Sequence, residues 1–366
     1  MSQRARLYLD IHVLQTVPSS CINRDDTGSP KTALYGGVTR SRVSSQSWKR
    51  AIRLMFVELF PKEKLGVRTK KIVEMVAEEI ERRQTIEDSQ LAATKILEAA
   101  GLKIKSAEVG TDALFFLSQS QASALAQVVC DAPDIINGNV SKPDKEKAAR
   151  ALTQAPAIDV ALFGRMVADD PSLNTDACAQ VAHSLSTHKV SNEYDYFTAV
   201  DDLSSEDNAG AGHIGTIEFN SSTMYRYATV ALHQLKEHLN EDAVTAAVQF
   251  VRAFVFSMPT GKQNTFANRT LPDAVLITLR RDQPINLVGA FEKPIPASED
   301  GYVVPSAKAL VRHARKVYQQ FAGEPDLSLT AGDLLTELGE SKPLPELLDK
   351  LTEALNDNWR VSRDAE

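Results

Sequence analysis

Six cations stand between Thr27 and Val57, namely Lys31, Arg40, Arg42, Lys49, Arg50 and Arg53, with no aspartate or glutamate among them. Cations without carboxylate neighbours suit phosphate, lysine as a point charge and arginine as a planar fork of donors. Ser44, Ser45, Gln46 and Ser47 lie just ahead of Lys49, so hydroxyl and amide donors gather at what reads as a helix start. Free backbone N–H groups and the helix dipole favour an anion there. The same residues also fit a solvated helix face, and spacing alone does not separate the two readings. If about six cations meet phosphates of one strand, the salt slope of binding should be near −4, at roughly −0.7 per contact.

Other chemistry is thinner. Asp25 and Asp26 of "NRDD" are the candidate metal ligands of a nuclease. A divalent site wants further converging carboxylates, and adjacent acids are common in solvated loops. His183 and His188 are five residues apart, off the spacing of a helical metal pair. No phosphate-binding P-loop, nucleophile elbow or dinucleotide fingerprint is present. "GAGHIG" has no helix pattern after it and reads as a hairpin tip. No metal and no cofactor is expected. Aromatic content of 6 % and the lack of an RRM-type aromatic signature argue against stacking several bases on a sheet. Backbone-directed binding fits better.

The elements that must position these residues follow from periodicity. "RARLYLDIHVLQ" alternates as a strand, with Leu7, Leu9, Ile11 and Val13 on one face and Tyr8, Asp10 and His12 on the other. A turn-rich loop follows. A helix capped by Ser44 or Ser45 then buries Trp48, Ala51, Ile52, Met55, Phe56, Leu59 and Phe60, and Pro61 closes it. Lys49, Arg50 and Arg53 fall on its opposite side. Residues 62–188 read as a mainly helical insertion, with "TDALFFLS" and "IDVALFGRM" as strands and "DACAQVAHSLS" as a helix. Residues 189–232 read as a long hairpin whose mobile tip is 201–215. Residues 233–366 complete the unit with a helix near Asp242 to Phe256, the strand "AVLITLR" and two amphipathic helices. The order implies an α+β core of ferredoxin-like type, an antiparallel sheet with helices on one side, carrying insertions.

The chain has 366 residues, 43 % of them hydrophobic, and a formal charge of −7. Setting the six cations aside leaves 35 basic against 48 acidic residues, a charge of −13 for the rest. Local potential, not the overall charge, decides binding, so contact with nucleic acid is expected on one surface. Met1 to Asp10 has no apolar run of signal-peptide length, and no stretch nears the roughly 20 apolar residues of a membrane span. Three distant cysteines, Cys21, Cys130 and Cys178, suggest neither a disulfide framework nor a zinc site. A cytoplasmic protein without a membrane partner is expected.

The stretch "DIHVLQTVPSSCINRDDTGSPKTALYGGVTRSRVSSQSWKRAIR" resembles the N-terminal region of the CasC family, the backbone subunit of the type I-E CRISPR surveillance complex Cascade. "DVALFGRM", "STHKVSNEYDYFTAVDDL", "GHIGTIEFNSSTMYRYA" and "GKQNTFA" resemble its later blocks in the expected order, and together these cover roughly a third of the chain. The resemblance implies a hand-like protein: an RRM-like palm, helical fingers from the insertion and a thumb at Asp201–Gly215. It implies a non-catalytic subunit whose copies polymerise along CRISPR RNA, kink it at intervals and present guide bases to target DNA, alongside other Cascade subunits. By position it assigns Arg24, Ser44, Gln46, Lys49 and Arg53 to the guide backbone, with Arg40 and Arg42 as additional contacts. Met166 and Phe197 match apolar residues that pack on bases near the kink, although from the residues alone both read as core. Leu203 and Ile214 would shape the thumb. Thr39 and Ser41 interrupt a run that is more densely basic in related sequences. An alternative remains, in which an RNA-cleaving backbone subunit uses Asp25 or Asp26, as does a blander one, in which the basic helix meets an acidic protein.

Overall fold

The computed structural model describes residues 6–154, 156–167, 170–199 and 213–363. Its centre is a sheet of ten strands among the described residues. The first strand, Tyr8–Ser20, lies between the long strand His213–Ala231 and the strand Ala274–Arg280, antiparallel to both, so that Ile11 faces Ala228 on one side and Ile277 on the other. Leu327–Ala331 and Glu340–Ser341 extend one edge, the latter in parallel, while Ser184–Ser186, Val38–Val43 and Thr32–Tyr35 extend the other. The fold class is α+β around a mixed, largely antiparallel sheet, as the order of elements implied.

Helices cover both faces, not one. Leu9, Ile11 and Val13 pack with Trp48, Ile52 and Phe56 of the helix Ser45–Leu59 and with Phe250 and Phe254 of the helix Ala243–Phe256. Leu14, Tyr225, Tyr227 and Leu276, on the opposite face, pack with Leu287, Phe291 and the helix Val303–Val317. Asp10 and His12, on the polar side of the first strand, are buried too, and each finds a partner there. Asp10 accepts from the Tyr227 hydroxyl (2.8 Å) and the Ile285 N–H (2.9 Å), and His12 Nδ1 pairs with the Tyr225 hydroxyl (2.8 Å). Helices had been expected on one side only; hydrogen bonds at Asp10 and His12 let the other face be covered as well.

A second, separate core joins the helices Ile72–Glu81, Ser89–Ala99, Gln119–Asp131 and Lys142–Thr153. Two expectations within 62–188 are corrected. "IDVALF" is a helix, Ile158–Phe163, because a short, largely buried and mostly apolar run satisfies either period and only its packing decides. "AQV" and "SLS" are short strands, Ala179–Val181 and Ser184–Ser186, recruited by the exposed backbone of the long strand. Among the described residues no helix is long and apolar enough to cross a membrane.

Candidate nucleic-acid interface

The basic helix begins where the residue types required it to. Ser44 is the N-cap, in extended conformation, and its Oγ accepts the Ser47 N–H. The Ser44 N–H in turn donates to Asn23 Oδ1 at 2.9 Å, which ties the loop carrying Arg24 to the helix N-terminus. Asn23 was not among the expected site residues; an asparagine that locks a distant cap has no local signature. A third segment arrives from the loop after the helix Ala243–Phe256. At Gly261 a Cβ would lie 2.4 Å from the Ile22 carbonyl oxygen, so only glycine allows this approach. Lys262 follows in the left-handed region (φ 51°), and Ser47, Arg50, Ala51 and Leu54 share a cleft with Met258 to Gly261.

The cations divide into two groups. Arg24 and Arg50 are exposed, Lys49 is half-buried, and none of the three has an ion-pair partner among the described residues. Burial holds the Lys49 ammonium below the usual lysine range, and its Nζ lies 6.0 Å from the centre of the Phe163 ring. Gln46 is exposed one residue into the helix. Arg42, half-exposed, donates to the Thr32 carbonyl (3.1 Å) and meets His183 Nδ1 (3.1 Å). Burial, then Arg42 and Lys31, keep that imidazole below its ordinary pKa.

Arg40 is different, and its assignment to the guide backbone is corrected. It is fully buried, and its guanidinium donates to the carbonyls of Tyr35, Ser186, Phe291 and Glu292, leaving no donor face at the surface. Ser44 is also buried, with its oxygen engaged in the cap, so it shapes the site instead of facing a phosphate.

Arg53 faces the helix Ile158–Phe163. Its Nε lies 3.4 Å from Asp159 Oδ2, and its guanidinium carbon is 4.4 Å from the Phe116 ring centre. Lys49 and Arg53, four apart, thus meet Phe163 and Asp159, also four apart, as expected of two helices running in opposite directions. Burial raises the Asp159 carboxyl above its ordinary pKa, while the Gly66 N–H (2.8 Å) and Arg53 pull it back.

"GRM" is built to present its last residue. Gly164 ends the helix at φ 77°, a positive φ that favours glycine, beside the Thr175 carbonyl. Arg165 is buried and donates to the carbonyls of Leu173, Phe116 and Leu152. Met166, anchored by that neighbour, is 87 % exposed. Phe197 is 39 % exposed on the strand Glu193–Ala199, opposite Gly215 of the long strand. The base of this hairpin is tied to the sheet by Asn220, which donates to Asn192 (3.1 Å) and accepts from Ser41 (3.1 Å). Composition favoured both apolar residues as core, and the fold leaves both at the surface. Ile214 pairs with Thr198 through the backbone; Leu203 lies outside the described residues.

Asp25 serves its own loop. One carboxylate oxygen accepts from the Thr27 N–H (3.0 Å), the Thr27 hydroxyl (2.7 Å) and the Ser29 N–H (3.0 Å), and these bonds hold its pKa below the carboxylate norm.

No curated protein matches the chain. One solved structure, "CRISPR RNA-guided surveillance complex, pre-nicking", contains a chain 35 % identical to this one, with a TM-score of 0.81, over 95 % of this chain and 99 % of that one. A second, "CRISPR RNA-guided surveillance complex", contains one 31 % identical, with a TM-score of 0.62 over the same shares of each chain. A family model described as "CT1975-like protein" matches residues 9–354, and with that span and those identities the chain belongs to the CT1975-like protein family.

Proposed function

We propose that the chain is a non-catalytic, guide-RNA-binding backbone subunit of a type I-E CRISPR surveillance complex. The observation that carries this reading is Lys49, a half-buried ammonium without a carboxylate partner among the described residues, one turn into a capped helix and flanked by Gln46 and Arg50. Charge held partly out of water without a counter-ion is costly, and an incoming phosphate offsets that cost. Arg24, Gln46, Lys49, Arg53 and the outward Arg42 hold the RNA backbone; such contacts set register without reading sequence. Met166 and Phe197 pack on bases where the strand kinks, as apolar wedges do elsewhere.

In this reading the sheet is an RRM-like palm, the separate helical core forms fingers, and the hairpin forms a thumb that reaches a neighbouring copy. Copies assemble along one CRISPR RNA beside other Cascade subunits, leaving guide bases free to pair with target DNA. The two similar structures, both CRISPR RNA-guided surveillance complexes, support this. Asp25, engaged as a turn cap, supports a scaffold over a cleaving enzyme.

The test is the double variant Arg24→Ala with Lys49→Ala, since neither residue has an ion-pair partner to strand among the described residues. It should melt like the wild type and bind single-stranded RNA more weakly. Unchanged RNA affinity contradicts the reading. Assembly is checked by sedimentation on RNAs of increasing length, where mass should rise in whole-chain steps.

A further inference from the structure

Arg53 is held in an unusual way for a cation at a phosphate site. Only its Nε is engaged, by Asp159 Oδ2, while its flat face rests on Phe116. The two Nη groups make no hydrogen bond among the described residues, and the side chain keeps 27 % of its surface exposed against 4 % for Asp159. The carboxylate cannot follow the arginine, because its other oxygen is fixed by the Gly66 N–H at 2.8 Å. A buried ion pair with a single 3.4 Å contact is weak grounds for stability, since desolvation of the carboxylate opposes it. It does define geometry: one edge of the guanidinium is set by Asp159, its plane by Phe116, and the remaining edge faces outward.

We propose that Asp159 and Phe116 are positioning residues that hold Arg53 as a preformed two-pronged donor for one phosphate of a single-stranded RNA. This rests on the RNA-scaffold reading and adds to it the residues that orient a contact. Bidentate arginine–phosphate recognition depends on the direction of both Nη groups, and fixing a flexible side chain beforehand removes an entropic cost from binding. Charge alone predicts the opposite sign, because deleting a carboxylate beside a phosphate site should strengthen binding.

The experiment measures the affinity of the full chain for a single-stranded RNA oligonucleotide in Asp159→Asn, Arg53→Ala and the double variant. Asparagine retains an acceptor for the Gly66 N–H but confronts Arg53 Nε with no anion. Positioning predicts a loss of roughly two- to tenfold for Asp159→Asn in the wild-type background. In the Arg53→Ala background it predicts no further loss, a coupling that a merely structural role would not produce. Binding as tight as or tighter than wild type in Asp159→Asn, or an equal loss in both backgrounds, overturns the proposal. If Arg53→Ala itself leaves affinity unchanged, the assignment of Arg53 to the guide falls, and this proposal with it. Should Asp159→Asn melt below the assay temperature, Phe116→Leu supplies the same cycle with the carboxylate left in place.

Discussion

Arg40 donates to the carbonyl oxygen of Ser186 at 2.8 Å, from a guanidinium with no exposed surface, 146 residues away along the chain. Further bonds to Tyr35, Phe291 and Glu292 make this side chain a staple between the basic segment, the neighbouring strand and the turn ahead of the helix Val303–Val317. Arg40→Ala leaves those carbonyls unsatisfied and should cost about 3 kcal/mol of stability. Urea unfolding measures this. A variant as stable as the wild type but deficient in RNA binding would restore Arg40 to the surface and contradict the assignment.

Met166 should behave in the opposite way. At 87 % exposure, Met166→Ser should change stability by no more than about 0.5 kcal/mol. Its effect should appear in a nuclease footprint on bound RNA, as altered protection at regular intervals. Arg165→Ala, by contrast, takes a donor from three buried carbonyls, of which Leu152 keeps the Gln121 amide, and should lower the melting temperature. A matching stability loss in both variants would place Met166 in the core after all.

Gly215 sets where the Phe197 ring lies. A Cβ there would fall 2.3 Å from the end of that ring, and glycine opposite an aromatic lets the ring lie flat across the neighbouring strand. Gly215→Val should swing the ring aside with little loss of stability, since the obstacle is the far end of a rotatable side chain. RNA footprints should then change as they do for Phe197→Ala. If Gly215→Val and Phe197→Ala give different footprints, the ring is not the contact.

Acid should destabilise the protein through its buried histidines. His188 donates from Nδ1 to the Lys189 carbonyl (2.8 Å), and its Nε2 accepts the Thr223 N–H (3.1 Å), so a second proton breaks a sheet contact. Burial, with Arg40 nearby, lowers its pKa despite the Lys189 bond, and burial pushes His12 down to about 3. Both groups are neutral when folded and bind a proton more readily when unfolded, so stability is complete above pH about 6.5 and falls below it. Asp10, raised by burial to about 6, acts in the opposite sense, because its folded form takes up a proton first as pH drops. Melting curves between pH 7.5 and 5 should fall with acid, and His188→Gln, which retains an acceptor, should flatten the fall. An unchanged slope in that variant would remove His188 from this account.

Much of the basic helix was legible because its signals are local. A cap at Ser44 or Ser45, Trp48, Ile52 and Phe56 as the buried stripe, and Pro61 beyond the end all follow from neighbours within a few turns. What was hidden depends on distant segments. Arg40 and Arg42 look alike in the sequence, and only the closure of Phe291 and Glu292 over one of them tells them apart. The partner of Arg53 is 106 residues away, on a helix whose short apolar run read equally well as a strand. Met166 is apolar, as core residues are, and its exposure is decided by Gly164 and the buried Arg165 beside it.

The most direct test of the central claim, that the basic helix and its flanking loops hold an RNA backbone, is the salt dependence of binding to single-stranded RNA. With Arg40 withdrawn into the core, the four cations assigned to the RNA backbone are Arg24, Arg42, Lys49 and Arg53, giving a slope of about −2.8 in log affinity against log salt. Lys49→Ala should make it shallower by about 0.7. A slope near zero, or one that Lys49→Ala leaves unchanged, would contradict the account.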